Sequence, residues 1–424
     1  MLDIRFIREN LDYVKKQVAR KGYDLDLDAL VSLDERRRSL ITQGESLRAE
    51  QKKRSKELGK LKGDEKQSAL AALKEMSDRY KVMSEELRRV EEKFNDMMLR
   101  VPNMPARDAP DGETEEDNLE VKRWGEPREF DFEPLDHVQL GESLGIIDIK
   151  RGVKISGTRS YVLKGDGALL EWAALKYALD TIVSKGFVPM VAPILVRDFA
   201  MVGTAFYPGG EEDAYRCERD ELNLVGTSEV PVTSYHSDEI LDEKDLPRRY
   251  AGISSCFRRE AGTYGKDTKG VYRVHQFQKI EQVVFCKNDV EESARMHEYI
   301  LANAEEVVQG LGLPYRVVSV CVGELGMGRA KQYDIETWMP SRNSYGETHS
   351  ASRYHDYQAR RLNIRYRDSE GNIRFVHTLN NTVIASPRIL IPILENYQNA
   401  DGSVTIPEVL RPYMNGRERI EPPR

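Results

Sequence analysis

The chain has 424 residues, 32% of them charged, and a formal net charge of −7, with a mean hydropathy of −0.59. That length accommodates two or three domains with a sizeable core, and with no run of about eighteen apolar residues a membrane span is excluded. The acidic balance argues against a uniformly basic nucleic-acid binder but leaves room for a local basic patch.

The first ten residues mix both charges and lack the apolar centre of a signal peptide, which predicts a cytoplasmic protein. Asn10 is expected to cap a short helix, Leu11–Arg20, that Gly22 stops in the left-handed conformation. Over 30–61, Leu33, Leu40, Leu47 and Leu61 recur at heptad spacing, with Arg54 interrupting. After a turn at Gly63-Asp64, a second helix places Leu73, Tyr80, Leu87 and Phe94 on one seam position and Met76, Met83, Val90 and Met97 on the other. The pair predicts an antiparallel coiled coil projecting roughly 45–50 Å. Heptads alone suit a spacer or dimerisation element equally well. Charge separates the readings: residues 36–62 carry ten Lys/Arg against three Asp/Glu, whereas 64–96 carry seven against nine. Such a stripe suits phosphate contacts, with Arg36, Arg37, Lys52, Lys53, Arg54 and Lys56 as the candidates.

Prolines at 102, 105 and 110 and the acidic run over 113–120 predict a linker at 105–125, dividing an N-terminal domain (1–104, hairpin at about 30–100) from a second domain at 126–424. An amphipathic helix over 169–185 ends at Gly186 and runs into Phe187-Val188-Pro189. Beyond it, strands are predicted at 222–225, 250–254, 282–285, 315–322, 364–366 and 374–377, with helices at 290–310 and 388–396. Short connections favour an α+β fold, an antiparallel sheet flanked by helices. Neither GxGxxG nor GxxxxGK[ST] occurs, so no Rossmann or P-loop nucleotide site is expected. Cys217, Cys256, Cys286 and Cys321 stand far apart, which predicts reduced thiols and no structural zinc.

The rest of the chain is read as built to position the stretch 257–281. Two strand-like ends enclose Gly262-Thr263-Tyr264-Gly265-Lys266-Asp267-Thr268-Lys269-Gly270, which has no aliphatic residue and is expected to be a long, mobile loop. An antiparallel pair would present Arg258, Glu260, Arg273, Phe277 and Glu281 on neighbouring rungs. Arginines fit phosphates and carboxylates, the ring offers a stacking face, and glutamates accept from amines or hydroxyls. A salt-bridged surface hairpin accounts for the same charges.

The wording of this stretch resembles motif 2 of the class II aminoacyl-tRNA synthetases and is similar to that of the seryl-tRNA synthetases in particular. The segment 169–193 resembles motif 1, which in that family lies at a homodimer interface. Residues 379–396, with Arg388 at the mouth of an apolar helix, resemble motif 3, although Asn380-Asn381-Thr382 and Ser386-Pro387 replace the glycine-rich wording common in bacteria. Thr227-Ser228-Glu229 resembles the element around the amino acid's ammonium group, and Glu347-Thr348-His349-Ser350 the segment that holds a divalent cation against ATP.

The resemblance implies a ligase that makes seryl-adenylate from L-serine and ATP and passes the seryl group to tRNA(Ser), and to tRNA(Sec) where that exists. On that basis Thr227, Glu229, Arg258, Glu281, Asn380 and Thr382 would bind serine. Arg258, Glu260, Arg273, Val274, Phe277, Glu347, Ser350 and Arg388 would bind ATP, with Mg²⁺ at Glu347 and Ser350 and with Arg258 and Arg388 as the catalytic pair. The helical arm, Lys266 and Lys269 would meet the tRNA, and the protein would be a homodimer. A carrier-protein ligase would share the catalytic half but lack the arm, and a non-catalytic RNA-binding paralogue would have no need of the arginines.

Overall fold

The computed structural model describes residues 1–261 and 269–423; Lys266 and most of the predicted loop lie outside them. The chain divides into two units, Met1–Pro102 and Asn103–Arg424.

In the first unit, helices α1 (Ile4–Glu9) and α2 (Leu11–Arg20) precede the long pair α3 (Leu27–Glu57) and α4 (Gly63–Arg100). Asn10 closes α1 rather than capping α2: its side-chain amide donates to the Phe6 carbonyl at 3.0 Å. Gly22, at φ +78°, takes the left-handed conformation beyond α2. Asp26 caps α3 by accepting from the Ala29 amide at 2.9 Å. The 31 residues of α3 span about 46 Å. Its end tightens into a single 3-10 turn, Leu58–Lys60, and the reversal falls at 58–62. Gly63 and Asp64, predicted as the turn, already open α4, where Asp64 and Glu65 complement the positive end of the helix dipole.

The seam holds Leu40, Met76, Phe94 and Met98 in burial. At Gly44 the helices approach closely, since a Cβ there would lie 3.6 Å from the Tyr80 ring. Beneath the seam the fully buried Asp34 carboxylate accepts from Arg8, Arg37 and Arg38 at 2.8, 2.9 and 3.0 Å.

The second unit is built on an eight-stranded sheet: β1 (Leu119–Trp124), β2 (Val188–Val191), β3 (Arg248–Phe257), β4 (Gln276–Cys286), β5 (Tyr315–Ser319), β6 (Lys331–Met339), β7 (Ser344–His355) and β8 (His377–Ser386), in the order β1-β5-β6-β7-β8-β4-β3-β2. All neighbours are antiparallel except β2 with β3. Helices α5 (Asp166–Ser184), α6 (Val290–Gly310) and α7 (Leu390–Asn396) cover one face. There Ile280, Val284, Ile300, Ala304, Val307 and Leu379 are buried in one apolar cluster.

The predicted linker at 105–125 packs onto this unit. The Asn103 and Ala106 amides donate to the Met327 and Ala330 carbonyls at 2.8 Å, and 119–124 pairs with β5 as an edge strand. Every residue of that strand is exposed, so no apolar alternation marks it in the sequence. β6 and β7, the two longest strands absent from the sequence reading, fill the centre of the sheet. The four cysteines are free thiols, and Cys256, Cys286 and Cys321 are buried. No helix among the described residues is long and apolar enough to cross a membrane.

Candidate active site

The sheet face opposite α6 carries a cleft of about 320 Å³. All thirteen side chains that the resemblance assigns to serine or ATP line it: Thr227, Glu229, Arg258, Glu260, Arg273, Val274, Phe277, Glu281, Glu347, Ser350, Asn380, Thr382 and Arg388.

Strand alternation explains the floor. On β4, Phe277, Lys279 and Glu281 point one way while Ile280 and Val284 point into the core. Glu281 lies directly across from Thr382 on β8, whose hydroxyl donates to its carboxylate at 3.3 Å. Lys279, buried between these groups, forms an ion pair with Glu281 and donates to the Thr227 hydroxyl at 2.8 Å.

Glu229 forms the neighbouring wall. Gln358 donates to it at 2.7 Å and accepts from the Thr378 hydroxyl at 2.6 Å. Burial, together with the Glu281 charge, holds the Glu229 carboxyl above the usual range, and Arg329 and Lys279 pull it back. Asn380 is also buried here, with its amide 3.5 Å from the Tyr354 hydroxyl.

At the other end, the backbone of Arg258 pairs with that of His275, donating at 3.0 Å and accepting from the His275 ring at 2.9 Å. The Arg258 guanidinium lies 5.2 Å from the Phe277 ring centroid and donates to the Gly226 carbonyl at 3.3 Å. Glu260, at φ +56°, turns its carboxylate to Arg273 at 3.3 Å. Val274 is buried beside them. Arg388 donates to the carbonyls of Tyr272 and Glu347, both at 3.1 Å, and its guanidinium rests 4.3 Å from the Tyr272 ring centroid.

Glu347 and Ser350 are three apart on a strand, a spacing that regular alternation would send to opposite faces. Here Glu347 pairs with Glu336, His349 with Ile335 and Ser350 with Asp334, leaving Thr348 as an extra residue. This bulge returns Ser350 to the face of Glu347. Burial and the Glu347 charge push the Asp334 carboxyl well up. Burial, with Glu347 adding to it, also raises Glu336 despite its ion pair with Arg316 at 2.6 Å. Burial takes His349 down to about 3, so it stays neutral near pH 7.

Among the described residues no three His, Cys, Asp or Glu side chains converge into a metal cage. A carboxylate and a hydroxyl beside two partly desolvated acids would suit Mg²⁺, which takes one or two protein oxygens and completes its shell with phosphates and water.

The arm residues lie apart from this cleft in sequence and unit. Lys52, Lys53 and Lys56 are exposed. Arg54 pairs with Glu50 at 2.7 Å, and Arg36 donates to Glu86 at 2.9 Å. Arg37 is engaged with Asp34 and lies over the Phe94 ring at 4.5 Å. Lys269 is exposed and pairs with Asp136 at 2.7 Å.

The sequence reading missed Lys279, Arg329, Gln358 and Asn381. Lys279 had a signal, the same alternation that gives Phe277 and Glu281. Asn381 faces the core, where Gln282 donates to it at 2.6 Å and it donates to the Ser350 carbonyl at 3.0 Å.

Comparison with known proteins accords with this geometry. The family model described as the seryl-tRNA synthetase N-terminal domain matches residues 1–105, and that of the class II tRNA synthetase core domain (G, H, P, S and T) matches 215–397. The serine–tRNA ligase of Deinococcus radiodurans is 46% identical over 423 residues, all of both chains. The crystal structure of the seryl-tRNA synthetase from Pyrococcus horikoshii complexed with ATP superposes with a TM-score of 0.93 at 40% identity, covering both chains fully. That of the cytoplasmic serine–tRNA ligase from Naegleria fowleri in complex with AMP gives 0.88 at 33%, covering 100% of this chain and 99% of the other. With both family models and full-length identity in agreement, the chain belongs to the seryl-tRNA synthetase family of class II aminoacyl-tRNA synthetases.

Proposed function

We propose that this chain is a serine–tRNA ligase whose reaction runs in the cleft between β4, β7 and β8. The observation that carries the reading is the meeting, in one cleft, of three arginines suited to phosphate with a buried carboxylate and two hydroxyls suited to a small polar amino acid.

In the first step a serine carboxylate oxygen attacks the α-phosphorus of ATP, the bond to the β-phosphate oxygen breaks, and pyrophosphate leaves. Arg258 bridges the carboxylate and the α-phosphate as charge spreads over the transferring phosphorus. Arg388 and Arg273 hold the γ-phosphate, Glu260 accepts from the adenine amino group next to Val274, and Phe277 stacks on the ring. Glu347 and Ser350 would hold Mg²⁺, which when bound would supply charge neutralisation to the phosphates. In the second step a ribose hydroxyl of the terminal tRNA adenosine attacks the seryl carbonyl carbon and AMP departs. No side chain acts as nucleophile, so catalysis is positioning and electrostatics.

Glu281 and Thr382 receive the serine hydroxyl, while Glu229, Thr227 and Asn380 surround the rest of the amino acid. Alanine would leave these buried groups unpaired, and a site of this kind rejects the analogue by roughly 10⁴–10⁵.

The arm of α3 and α4 meets tRNA through backbone contact and shape, with Lys52, Lys53 and Lys56 foremost because they are exposed. Lys269 would approach the acceptor end. The unit 1–102 is thus a tRNA-binding domain and 103–424 the catalytic one. Exposed Trp172, Val188 and Val191 on α5 and β2 favour a homodimer through that face, which sedimentation would test. The cytoplasm is the compartment in which such a protein meets its tRNA.

Pyrophosphate–ATP exchange by purified protein with Mg²⁺, comparing L-serine with alanine, threonine, glycine and cysteine, is the direct test. Serine-dependent exchange is expected; exchange with none of them would remove the catalytic reading.

A further inference from the structure

Lys279 is a cation buried against the amino-acid end of the cleft for which the reading above has no use. Its side chain is 6% exposed and its ammonium group meets two partners, the Glu281 carboxylate and the Thr227 hydroxyl. The Thr227 oxygen also accepts from the Glu229 backbone amide at 3.1 Å. A hydroxyl oxygen has two acceptor sites and one hydrogen. With both acceptor sites taken, Thr227 has only its hydrogen to offer and is a donor toward the cleft. Glu281, facing the ammonium group, is kept as an acceptor.

We propose that Lys279 is a positioning residue that fixes the hydrogen-bond polarity of the serine pocket, holding Thr227 as an obligate donor and Glu281 as an obligate acceptor. The inference rests on the proposed serine–tRNA ligase reading and deepens it. An acceptor at Glu281 matches the hydroxyl or ammonium hydrogens of serine, and a donor at Thr227 matches its carboxylate or hydroxyl oxygen.

The charges around the pocket make the lysine necessary for this. Glu229 faces the site from the helix Glu229–Ser234 and Glu281 from β4. Arg258 follows β3, Arg329 precedes β6, Tyr354 stands on β7, and Cys256 on β3 neighbours Lys279. Asn380 and Thr382 on β8 are neutral. The Glu281 charge already raises the Glu229 carboxyl, and Lys279 is among the groups that lower it. Removing the ammonium group would take away one of the charges that lower the Glu229 carboxyl and leave the Glu281 charge that raises it, so Glu229 moves further up and holds a proton more readily. The pocket would then present a donor where it needs an acceptor, and Thr227 would be free to rotate.

Lys279→Met keeps the length of the side chain and removes the charge; Lys279→Arg keeps the charge. In pyrophosphate–ATP exchange, Lys279→Met is expected to raise the serine KM by at least about tenfold, as loss of a charged hydrogen-bond partner does, with the ATP KM within about twofold of wild type. The variant's serine KM should fall as pH rises from 6 to 8, because the added proton is then lost, while the wild type and Lys279→Arg change less across that range. Melting temperatures of Lys279→Met and of Lys279→Gln, tested alongside, separate misfolding from loss of polarity. An unchanged serine KM in either folded uncharged variant, or a raised KM with no more pH dependence than wild type, overturns the proposal. If the wild-type protein shows no serine-dependent exchange, the ligase reading itself fails and this inference with it.

Discussion

The arm and the cleft carry positive charge in opposite ways. On α3 the lysines at 52, 53 and 56 are exposed, and the neighbouring arginines engage single carboxylates across or along the helix. In the cleft Lys279 and Arg388 are largely buried, each held by two or more protein groups. Exposed charges act additively and are screened by salt, whereas buried partnered charges fail as units. Binding by the arm should therefore be graded and activity in the cleft nearly all-or-none. The arm contains one exception, Asp34, whose three arginines make it as buried as anything in the cleft.

The largest contrast comes from replacing residues 36–94 by a short Gly/Ser linker. Charging of tRNA(Ser) should drop to background while serine-dependent exchange stays within about twofold of wild type; an equal fall in both would show that the units do not work separately. Arg388→Ala is expected to lower exchange kcat/KM by about 10³, the scale of losing a transition-state charge partner, and near-normal exchange would take Arg388 out of the reaction. Glu281→Ala should raise the serine KM and erode the serine-to-alanine ratio by at least about 10², measured as the ratio of kcat/KM values. Asp34→Ala tests the exception. Losing a charged partner of three arginines that are a quarter to half exposed is expected to cost about 1–3 kcal/mol, seen as early melting of the arm, with exchange retained. The smallest effects belong to Lys52→Ala, Lys53→Ala and Lys56→Ala. Each should weaken tRNA binding a few-fold and reduce the slope of log affinity against log salt by about 0.7–0.9.

How far the sequence could be read follows the same division. The heptads of α4 were legible because a two-helix seam leaves a strict periodic trace; α3 shows it less well, because Asp34 and Gly44 occupy buried positions where apolar residues would be expected. The strand β6 was legible and went unread: Tyr333, Ile335 and Met339 are buried in alternation with the more exposed Asp334, Glu336 and Trp338. β7 was not. Its polar run Gly346-Glu347-Thr348-His349-Ser350 serves a cleft on one face and buried hydrogen bonds on the other, so no apolar alternation survives. The site residues were assigned almost wholly by resemblance. Alternation would have added Lys279, but nothing local in sequence brings Gln358 or Arg329 to Glu229.

The paired bulges carry a further consequence. Thr348 on β7 and Val383 on the adjoining β8 are both supernumerary against their partner strands, and each separates side chains that the cleft requires. Site positions before and after each bulge are therefore out of phase by one residue. Regular pairing at the present length would send Ser350 to the core side; deleting Thr348 would restore a regular ladder with Glu347 and Ser350 still on one face, and would remove the hydroxyl that bonds to Thr337 at 2.7 Å. In both segments, then, odd and even positions do not tell which face a side chain takes, and each has to be placed by the residue it pairs with on the neighbouring strand.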